Sequence, residues 1–381
     1  MHNSAALAST PLFHRNSSLL SRRDRVALSY DRAKAIGALH SLTADDILTV
    51  SPKYWEHLRD PIHVMDGAAA TLLTIHLNLC IGTIAMFPEG KEDLLERLLA
   101  FELSGQYCLT EVGHGLDAYH LETTATLLPT GELEINTPNE AADKYMPPTT
   151  PAGLPGIAVV FARLLVDGQD RGIKPVLLVP LHNGHKMHPG ITSKLLSPRG
   201  GSGPVDHALT YFRHVRVPGS SLLGSLEKGA DLKGAFTHNI FRVVVGTLGM
   251  GIVALSGMRM ASYIATKYSM RRIVVDSFTG KPKPIMAFST QKIPVLTAIS
   301  QTLVMDAFCT KLHHLGLTQE MQRKMERDAI AALYPKLESL LEKLAIADYV
   351  TAPIVSDEGW TSHIRELPAF HGDDAAVQSR L

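Results

Sequence analysis

The pattern of hydrophobic and polar positions changes twice along the chain. Over residues 20–105, apolar residues recur at helical spacing, as in the leucine-rich segment 91–103. Between about 106 and 225 the period shortens and turn residues become frequent, which is typical of strands. Helical spacing returns after about residue 235. The pattern therefore predicts helices, then a β unit, then helices.

Individual elements follow from the same pattern. Pro129-Thr130-Gly131 and Asp167-Gly168-Gln169-Asp170 are hairpin-type connections in the β unit. The predicted strands are 121–128, 132–137, 157–166, 174–180 and 208–217. The predicted helices are 31–39, a segment from residue 45 onward, 67–88, 91–103, 238–270, 288–315 and 319–346. We predict three domains: an N-terminal helical domain over 1–105, a central β domain over 106–230 and a C-terminal helical domain over 231–381.

Two apolar runs bear on whether the chain crosses a membrane. Residues 67–88 form an uncharged run of 22 residues, long enough to span a bilayer. His76 and Asn78 lie in its middle, and polar side chains are costly there, which favours a buried helix of a globular core. The second run, 243–258, is too short to span. We therefore expect no membrane partner.

Composition narrows the classes of partner and compartment. The chain has 381 residues, with 37 Lys and Arg against 37 Asp and Glu. A formal net charge of zero removes the usual basis for proposing nucleic acid as a partner. Three widely separated cysteines indicate neither a disulfide framework nor a zinc cluster, so a reducing intracellular compartment fits.

The 18 histidines raise the possibility of a metal site. His182, His185 and His188 lie three residues apart, but Asn183-Gly184 and Pro189 surround them. That setting favours a solvated loop over a pre-organised zinc site. No metal is expected from the sequence.

The last three residues are Ser379-Arg380-Leu381. They are a basic-substituted version of the S-K-L address that the peroxisomal import receptor reads. We therefore expect import into the peroxisome, with that receptor as a partner.

The most specific stretch runs from Tyr107 to Gly115 and continues as Leu-Glu-Thr-Thr-Ala-Thr over 121–126. It predicts a strand end that enters a glycine-flanked turn, where Gly113 and Gly115 let the backbone approach a planar ligand. Thr110 adds a hydroxyl beside that turn. No G-x-G-x-x-G follows a strand, so a Rossmann-type site is not supported.

Together with later segments that follow in the family's order, this stretch resembles the acyl-CoA oxidase and acyl-CoA dehydrogenase superfamily. Its Gly-His-Gly tract resembles the oxidase branch. The later segments are Pro189–Thr192, His214–Pro218, Tyr268–Arg272 and Phe288–Gln291. The resemblance implies an α+β fold of three parts: N-terminal helices, a central β domain and a C-terminal helical bundle. It also implies FAD as cofactor, acyl-CoA as substrate and assembly into a homodimer or homotetramer.

The resemblance carries over to particular residues. Leu109 and Thr110 would contact the isoalloxazine ring, with Gly115 shaping the turn. Met146 and Pro147 would lie on the second flavin-contacting strand, although Tyr-Met-Pro-Pro stands where the oxidase pattern has Trp-Trp-Pro-Gly. Arg272 and Gln291 would hold the dinucleotide portion of FAD. In this family the arginine often reaches the FAD of a neighbouring subunit.

The reaction implied is α,β-dehydrogenation of an acyl-CoA thioester, which needs a base for the α-proton. A Glu in an apolar site suits this task because desolvation raises its pKa toward working pH. Asp357-Glu358-Gly359-Trp360 is the nearest match to the family signature, so Glu358 is the candidate base. The Gly-rich segment that precedes this signature in the family is replaced here by Ile346–Val350. The alternative that Glu358 is an ordinary loop carboxylate therefore stays open.

The sequence thus predicts FAD-dependent oxidation of an acyl-CoA in the peroxisome, serving fatty-acid β-oxidation or synthesis of a toxin or polyketide side chain. Two alternatives remain. One is a catalytically decayed oxidase-like subunit, and the other is a flavoenzyme of the same fold acting on a substrate other than a CoA thioester. The reoxidant of the flavin, oxygen or an electron-transfer protein, is also left open.

Overall fold

Helices form the N-terminal part of the computed structural model, which describes residues 4–197 and 203–314. Side-chain caps start some of them: Ser21 accepts a hydrogen bond from the backbone N–H of Asp24 at the start of α3, and Thr43 and Asp46 form a capping box at the start of α4. The helices are α1 (Ser4–Ala8), α2 (Pro11–His14), α3 (Arg22–His40), α4 (Ala44–Leu48), α5 (Pro52–Arg59), α6 (Gly67–Leu73), α7 (Gly82–Ala85) and α8 (Glu92–Leu99).

The apolar run that the sequence predicts as one helix over 67–88 is interrupted. A π-helix over Thr74–Ile81 joins α6 to α7, and the helical segment ends at Ala85. Asn78 explains part of this: its side chain donates to the carbonyl of Arg242 over 2.8 Å and accepts from that guanidinium over 2.6 Å. The wider π turn is therefore tied to a charged side chain from a distant helix.

The central sheet has six strands and is built around one long strand, β5. β1 (Ser104–Cys108) and β2 (Thr124–Leu127) both pair with β5 in parallel, and β6 pairs with it antiparallel. β3 pairs antiparallel with β2 and with β9. The remaining strands are β3 (Leu133–Asn136), β5 (Gly156–Val166), β6 (Gln169–His182) and β9 (Val215–Val217).

A second sheet has three strands, with β8 between β4 and β7. Their bounds are Lys144–Tyr145 for β4, Ile191–Leu195 for β7 and Ala208–Phe212 for β8. The single strand predicted over 208–217 is therefore wrong. His214 adopts a left-handed conformation with φ of 47°, which breaks the strand so that its two halves enter different sheets.

The core of the β region is apolar and fully enclosed. It takes alternate side chains from β2 and β3 and a continuous apolar run from β5, because β5 is covered on both faces. Its members include Cys108, Ala125, Leu133, Ile135, Ala158, Val160, Ala162, Leu164, Val176, Leu178 and Phe212.

Helices return after the sheets. These are α9 (Leu232–Asn239), α10 (Phe241–Arg271) and α11 (Ser289–His314), with the short antiparallel pair β10 (Ile273–Val275) and β11 (Pro282–Pro284) between the last two. The predicted helix over 238–270 is thus two helices that meet at Ile240. The predicted fold class, helices then sheet then helices, is confirmed, and the predicted helix over 319–346 lies outside the described residues.

Three helical segments are long and apolar enough to cross a membrane by length and composition alone: Gly67–Ala85, Phe241–Arg271 and Ser289–Thr310. The first is 78% buried inside the chain, as predicted for a core helix. The second is longer than the sequence indicates, since its 31 residues continue past Arg259. The second and third segments are 39% and 17% buried, so much of their surface is exposed.

Candidate functional site

The strand β1 delivers Leu109 and Thr110 to an edge of the β region. Leu109 is buried, and Thr110 is half-buried where the chain leaves the sheet. The backbone N–H of Tyr145 donates to the carbonyl of Thr110 over 2.8 Å. This bond brings β1 and β4 together, so Leu109 and Thr110 lie beside Met146 and Pro147. The structure therefore assembles four of the predicted flavin-contacting residues at one place.

A fully buried ion pair holds this arrangement. Nζ of Lys144 lies 2.9 Å from Oε1 of Glu111, and both side chains have no exposed surface. Lys144 also donates to the carbonyls of Leu109 and Phe161, over 3.3 and 2.7 Å. One ammonium group thus ties together β4, β5 and the turn after β1.

The carboxylate of Glu111 has no exposed surface, and several hydrogen bonds compensate for its burial. Its carboxylate accepts hydrogen bonds from the backbone N–H groups of Glu122 and Thr123, over 2.7 and 3.0 Å. It also accepts from the Thr123 hydroxyl over 2.6 Å. Burial lowers the pKa of Lys144, while Glu111 opposes that shift. The sequence pattern does not single out Lys144. The role of a buried lysine depends on its partners in space, and its position in a strand does not show them.

The surface next to the Glu111–Lys144 pair is open and partly apolar. Tyr145 and Met146 are 43% and 44% exposed, and Met146 has φ of 61°, which turns the chain sharply after β4. The hydroxyl of Thr110 makes no hydrogen bond to any other residue that the structure describes. An available hydroxyl beside exposed apolar side chains fits a planar ring with polar edges, such as an isoalloxazine.

Behind this face, three hydroxyl groups lock the chain that follows Pro147. Thr149 Oγ1 lies 2.6 Å from Thr210 Oγ1 and 2.7 Å from Ser193 Oγ. Thr149 and Thr210 are fully buried. These bonds join the segment after β4 to β8 and β7, so the position of Met146 and Pro147 is set by the second sheet.

The two glycines of the turn differ in their surroundings. Gly115 is exposed, and a Cβ added there would meet nothing within 4 Å. At Gly113 the same Cβ would lie 2.8 Å from the Cβ of Ala141, and its backbone N–H donates to the Ala141 carbonyl over 2.7 Å. Packing within the described chain therefore requires glycine at 113, while the expected role of Gly115 toward a cofactor remains a prediction.

Arg272 and Gln291 lie together in the C-terminal helical part. Arg272 is exposed and follows the last residue of α10. The side-chain amide of Gln291 donates to the buried hydroxyl of Ser269 over 2.8 Å, which ties the start of α11 to the end of α10. Within the described residues no hydrogen bond joins either side chain to the turn after β1. The expected base, Glu358, lies outside the described residues.

A cleft of about 380 Å³ lies on the N-terminal helices. Its walls come from α3 and from the residues that follow α8, with Gly37, Leu77 and Phe101 among them. None of the predicted site residues that the structure describes lines this cleft.

No protein-family model matches the chain. Individual relatives do match: acyl-coenzyme A oxidase acox-3 of Caenorhabditis elegans is 27% identical over 325 residues, covering 81% of this chain and 48% of the relative. Human peroxisomal acyl-coenzyme A oxidase 3 is 26% identical over 390 residues, covering 97% of this chain and 54% of the relative. The chain thus spans about half the length of these oxidases.

Solved structures give the same result for the fold. The crystal structure of acyl-CoA oxidase 1 from Yarrowia lipolytica superposes with a TM-score of 0.65 at 21% identity, covering 81% of this chain and 46% of that one. Butyryl-CoA dehydrogenase from Megasphaera elsdenii superposes with a TM-score of 0.55 at 21% identity, covering 77% and 79%.

Helical parts on either side of a central sheet, with a polar-edged apolar face at the end of the first strand, define the class as an acyl-CoA dehydrogenase-type fold. In sequence, the chain is similar to acyl-CoA oxidases, at 27% and 26% identity to the two relatives named above.

Proposed function

We propose that this protein binds FAD and catalyses the α,β-dehydrogenation of an acyl-CoA thioester. The observation that carries the proposal is the open face at Thr110 and Met146, framed by the buried Glu111–Lys144 pair. Relatives that align with most of the chain are named acyl-CoA oxidases, which supports the same reading.

The residues of the open face would hold the flavin in distinct ways. The Thr110 hydroxyl can donate to a polar edge of the ring, and Leu109 and Met146 can pack on its apolar part. Pro147 adds a buried wall. When bound, FAD supplies the acceptor for the hydride that leaves the β-carbon.

The protein must also remove the α-proton of the thioester. We propose Glu358 for this step, on the resemblance of Asp357–Trp360 to the family signature. A carboxylate in an apolar site can accept a proton near neutral pH, since desolvation raises its pKa. This assignment is tested by Glu358→Gln, which should abolish turnover and leave bound FAD in place.

We further propose that the protein self-associates as a homodimer or homotetramer through the region around Arg272. Large apolar side chains cluster there and are strongly exposed: Tyr263, Ile264, Tyr268, Met270, Ile273 and Phe278. Exposed apolar clusters of this kind mark interaction surfaces. An adjacent subunit would then receive Arg272 at its dinucleotide site.

We propose a peroxisomal location, because a relative that aligns with almost the whole chain is named peroxisomal. Fluorescence microscopy of the tagged protein beside a peroxisomal marker tests this: overlap with the marker is expected, and a diffuse cytosolic signal would reject the proposal.

The decisive experiment is the visible spectrum of the purified protein, followed by anaerobic addition of acyl-CoAs of different chain lengths. Bleaching of a flavin band by an acyl-CoA supports the proposal, and hydrogen peroxide on readmitting air identifies oxygen as reoxidant. A flavin band that no thioester bleaches would favour a non-CoA substrate. A colourless protein that takes up no added FAD would favour the decayed-subunit alternative.

The binding face has its own test. Thr110→Ala should shift the flavin absorption maxima or weaken FAD binding, because it removes a donor from the ring's edge. Thr130→Ala is a matched control, since that hydroxyl is exposed in the hairpin between β2 and β3 and bonds only to its own turn. Equal spectra for the two variants would count against the assignment of the flavin face.

A further inference from the structure

Three histidines from separate elements converge inside the N-terminal helices, away from the proposed flavin face. His40 is the last residue of α3, His57 lies in the last turn of α5, and His63 lies in the 3₁₀ turn Pro61–Val64 that follows. One ring nitrogen of each histidine lies within 4.8 Å of a ring nitrogen of each of the other two. All three side chains are buried, with exposed fractions of 1%, 2% and 3%. Across the described ranges, this is the one group of three ligand-type side chains so arranged.

The rings contact one another directly. The centroids of His40 and His57 are 4.6 Å apart and those of His57 and His63 are 4.7 Å apart, both with near-perpendicular planes. The rings of His40 and His63 are almost parallel at 6.3 Å. Three imidazoles from separate segments therefore meet at one place.

His63 is prepared to act as a ligand. Its Nε2 lies 2.9 Å from the backbone carbonyl of His57, and a carbonyl can only accept, so Nε2 carries the proton. In the imidazole tautomer with the proton on Nε2, the lone pair lies on Nδ1. Nδ1 is buried and has no hydrogen-bond partner in the described chain. A buried acceptor without a donor is unfavourable, and a metal ion would satisfy it.

His40 is held by a carboxylate. Its Nε2 lies 3.4 Å from Oδ2 of Asp60, and the other oxygen of Asp60 accepts from the N–H of Ile62 over 2.9 Å. Metal-binding histidines nearly always have their second nitrogen against a carboxylate or a backbone carbonyl. His40 and His63 have one of each, which is the outer-shell pattern of a metal site.

We propose that His40, His57 and His63 bind one divalent transition-metal ion of the zinc type, with Asp60 positioning His40. Imidazole nitrogens favour Zn²⁺ over Mg²⁺ or Ca²⁺, which prefer oxygen ligands. At Zn–N distances of about 2.0–2.1 Å, tetrahedral ligand atoms are about 3.3 Å apart, so the rings close inward by about 1.5 Å on binding. The fourth position is left for water.

The ion would have a structural role. It would join the end of α3, the end of α5 and the turn after it, the point where the hydroxyl of Ser256 in α10 also donates to the Arg59 carbonyl over 2.7 Å. No part of this inference depends on flavin binding or on acyl-CoA oxidation. It differs from the sequence expectation of no metal, and the loop histidines His185 and His188 do not contribute to the proposed site.

The test uses the purified full-length chain, freed of metal by a chelator and titrated with Zn²⁺ alone. We expect one Zn²⁺ per chain, a higher unfolding temperature with Zn²⁺, and a ligand-field spectrum of a four-coordinate nitrogen site with Co²⁺. His63→Gln should weaken Zn²⁺ binding at least 100-fold. Asp60→Asn should weaken it about 10- to 100-fold, as loss of an outer-shell partner does.

The double variant His185→Ala/His188→Ala is the control, because it removes two accessible imidazoles outside the cluster and should bind Zn²⁺ as the wild type does. Should His63→Gln fail to fold, X-ray absorption of the Zn²⁺-loaded wild type decides, with three imidazole ligands expected. Absence of stoichiometric Zn²⁺ binding, or binding lost in the His185/His188 variant and kept in His63→Gln, would overturn the proposal.

Discussion

The side chain of Lys144 has no exposed surface, and its ammonium group donates hydrogen bonds to three acceptors. The geometry of the site therefore depends on this one side chain. Removing one partner of a buried ion pair costs far more than replacing both, since the remaining charge stays buried without compensation. The turn after β1 owes its shape to this pair.

We expect Lys144→Met to lower the free energy of unfolding by about 3–5 kcal/mol and to reduce flavin content. The physical reason is the carboxylate of Glu111, left in a dry site without its cation. Chemical denaturation followed by fluorescence measures the effect. The double variant Glu111→Leu/Lys144→Met should lose less stability than Lys144→Met, and a larger loss would contradict the explanation.

Among single residues, His76 makes stability depend on pH. Its Nε2 donates to the Leu98 carbonyl and its Nδ1 accepts from the N–H of Gly105, both over 2.9 Å, so the neutral ring uses both nitrogens. Burial lowers the pKa of His76 from 6.5 to about 4. Between these values the unfolded chain binds the proton and the folded chain does not.

Stability should therefore fall as pH is lowered from about 6.5 to about 4, with His76 contributing about 3 kcal/mol over that window and nothing above pH 7. Unfolding free energies measured across this range should show a shallower slope for His76→Gln than for the wild type. Equal slopes for the two proteins would contradict the assignment.

At the scale of elements, the π-helix and α10 are joined through Arg242. This guanidinium is buried and donates to the carbonyl and side-chain oxygens of Asn78, over 3.0 and 2.6 Å. A Cβ at Gly82 would lie 2.4 Å from Nε of Arg242. The first residue of α7 must therefore be glycine for the arginine to reach the π turn.

Gly82→Ala should consequently destabilise the protein by about 1–3 kcal/mol, although alanine is the better helix former. Thermal unfolding of the variant measures this. Gly257→Ala in α10 is the matched control, because nothing lies within 4 Å of a Cβ there, and it should be neutral or stabilising. A Gly82→Ala variant as stable as the wild type would show that Arg242 can move aside.

At the scale of the whole molecule, the apolar surface is unevenly distributed. The N-terminal run Gly67–Ala85 is largely covered by the chain itself, while α10 and the start of α11 expose Tyr268, Met270 and Ile293. Exposed apolar area of this extent is unfavourable in water, and association between copies would remove it.

We therefore expect Tyr268→Ser/Phe278→Ser to shift the protein toward a smaller species and to lower its FAD occupancy. Analytical ultracentrifugation over a range of concentrations, together with the flavin-to-protein absorbance ratio, checks both effects. Leu19→Ser is the control, since Leu19 is 83% exposed but lies in the N-terminal part. Wild-type mass for the Tyr268/Phe278 variant would reject this surface as the interface.

Sequence by itself determined the order of helices and strands, the hairpin at Pro129–Gly131 and the likeness to acyl-CoA oxidases, because these depend on local periodicity, turn chemistry and ordered motifs. The tertiary structure alone decided what distant residues do together. It divided 208–217 between two sheets, placed Lys144 against Glu111, and brought His40, His57 and His63 into one cluster. Charge pairing and metal geometry depend on distances in space, and helical or strand spacing carries no record of contacts between separate elements.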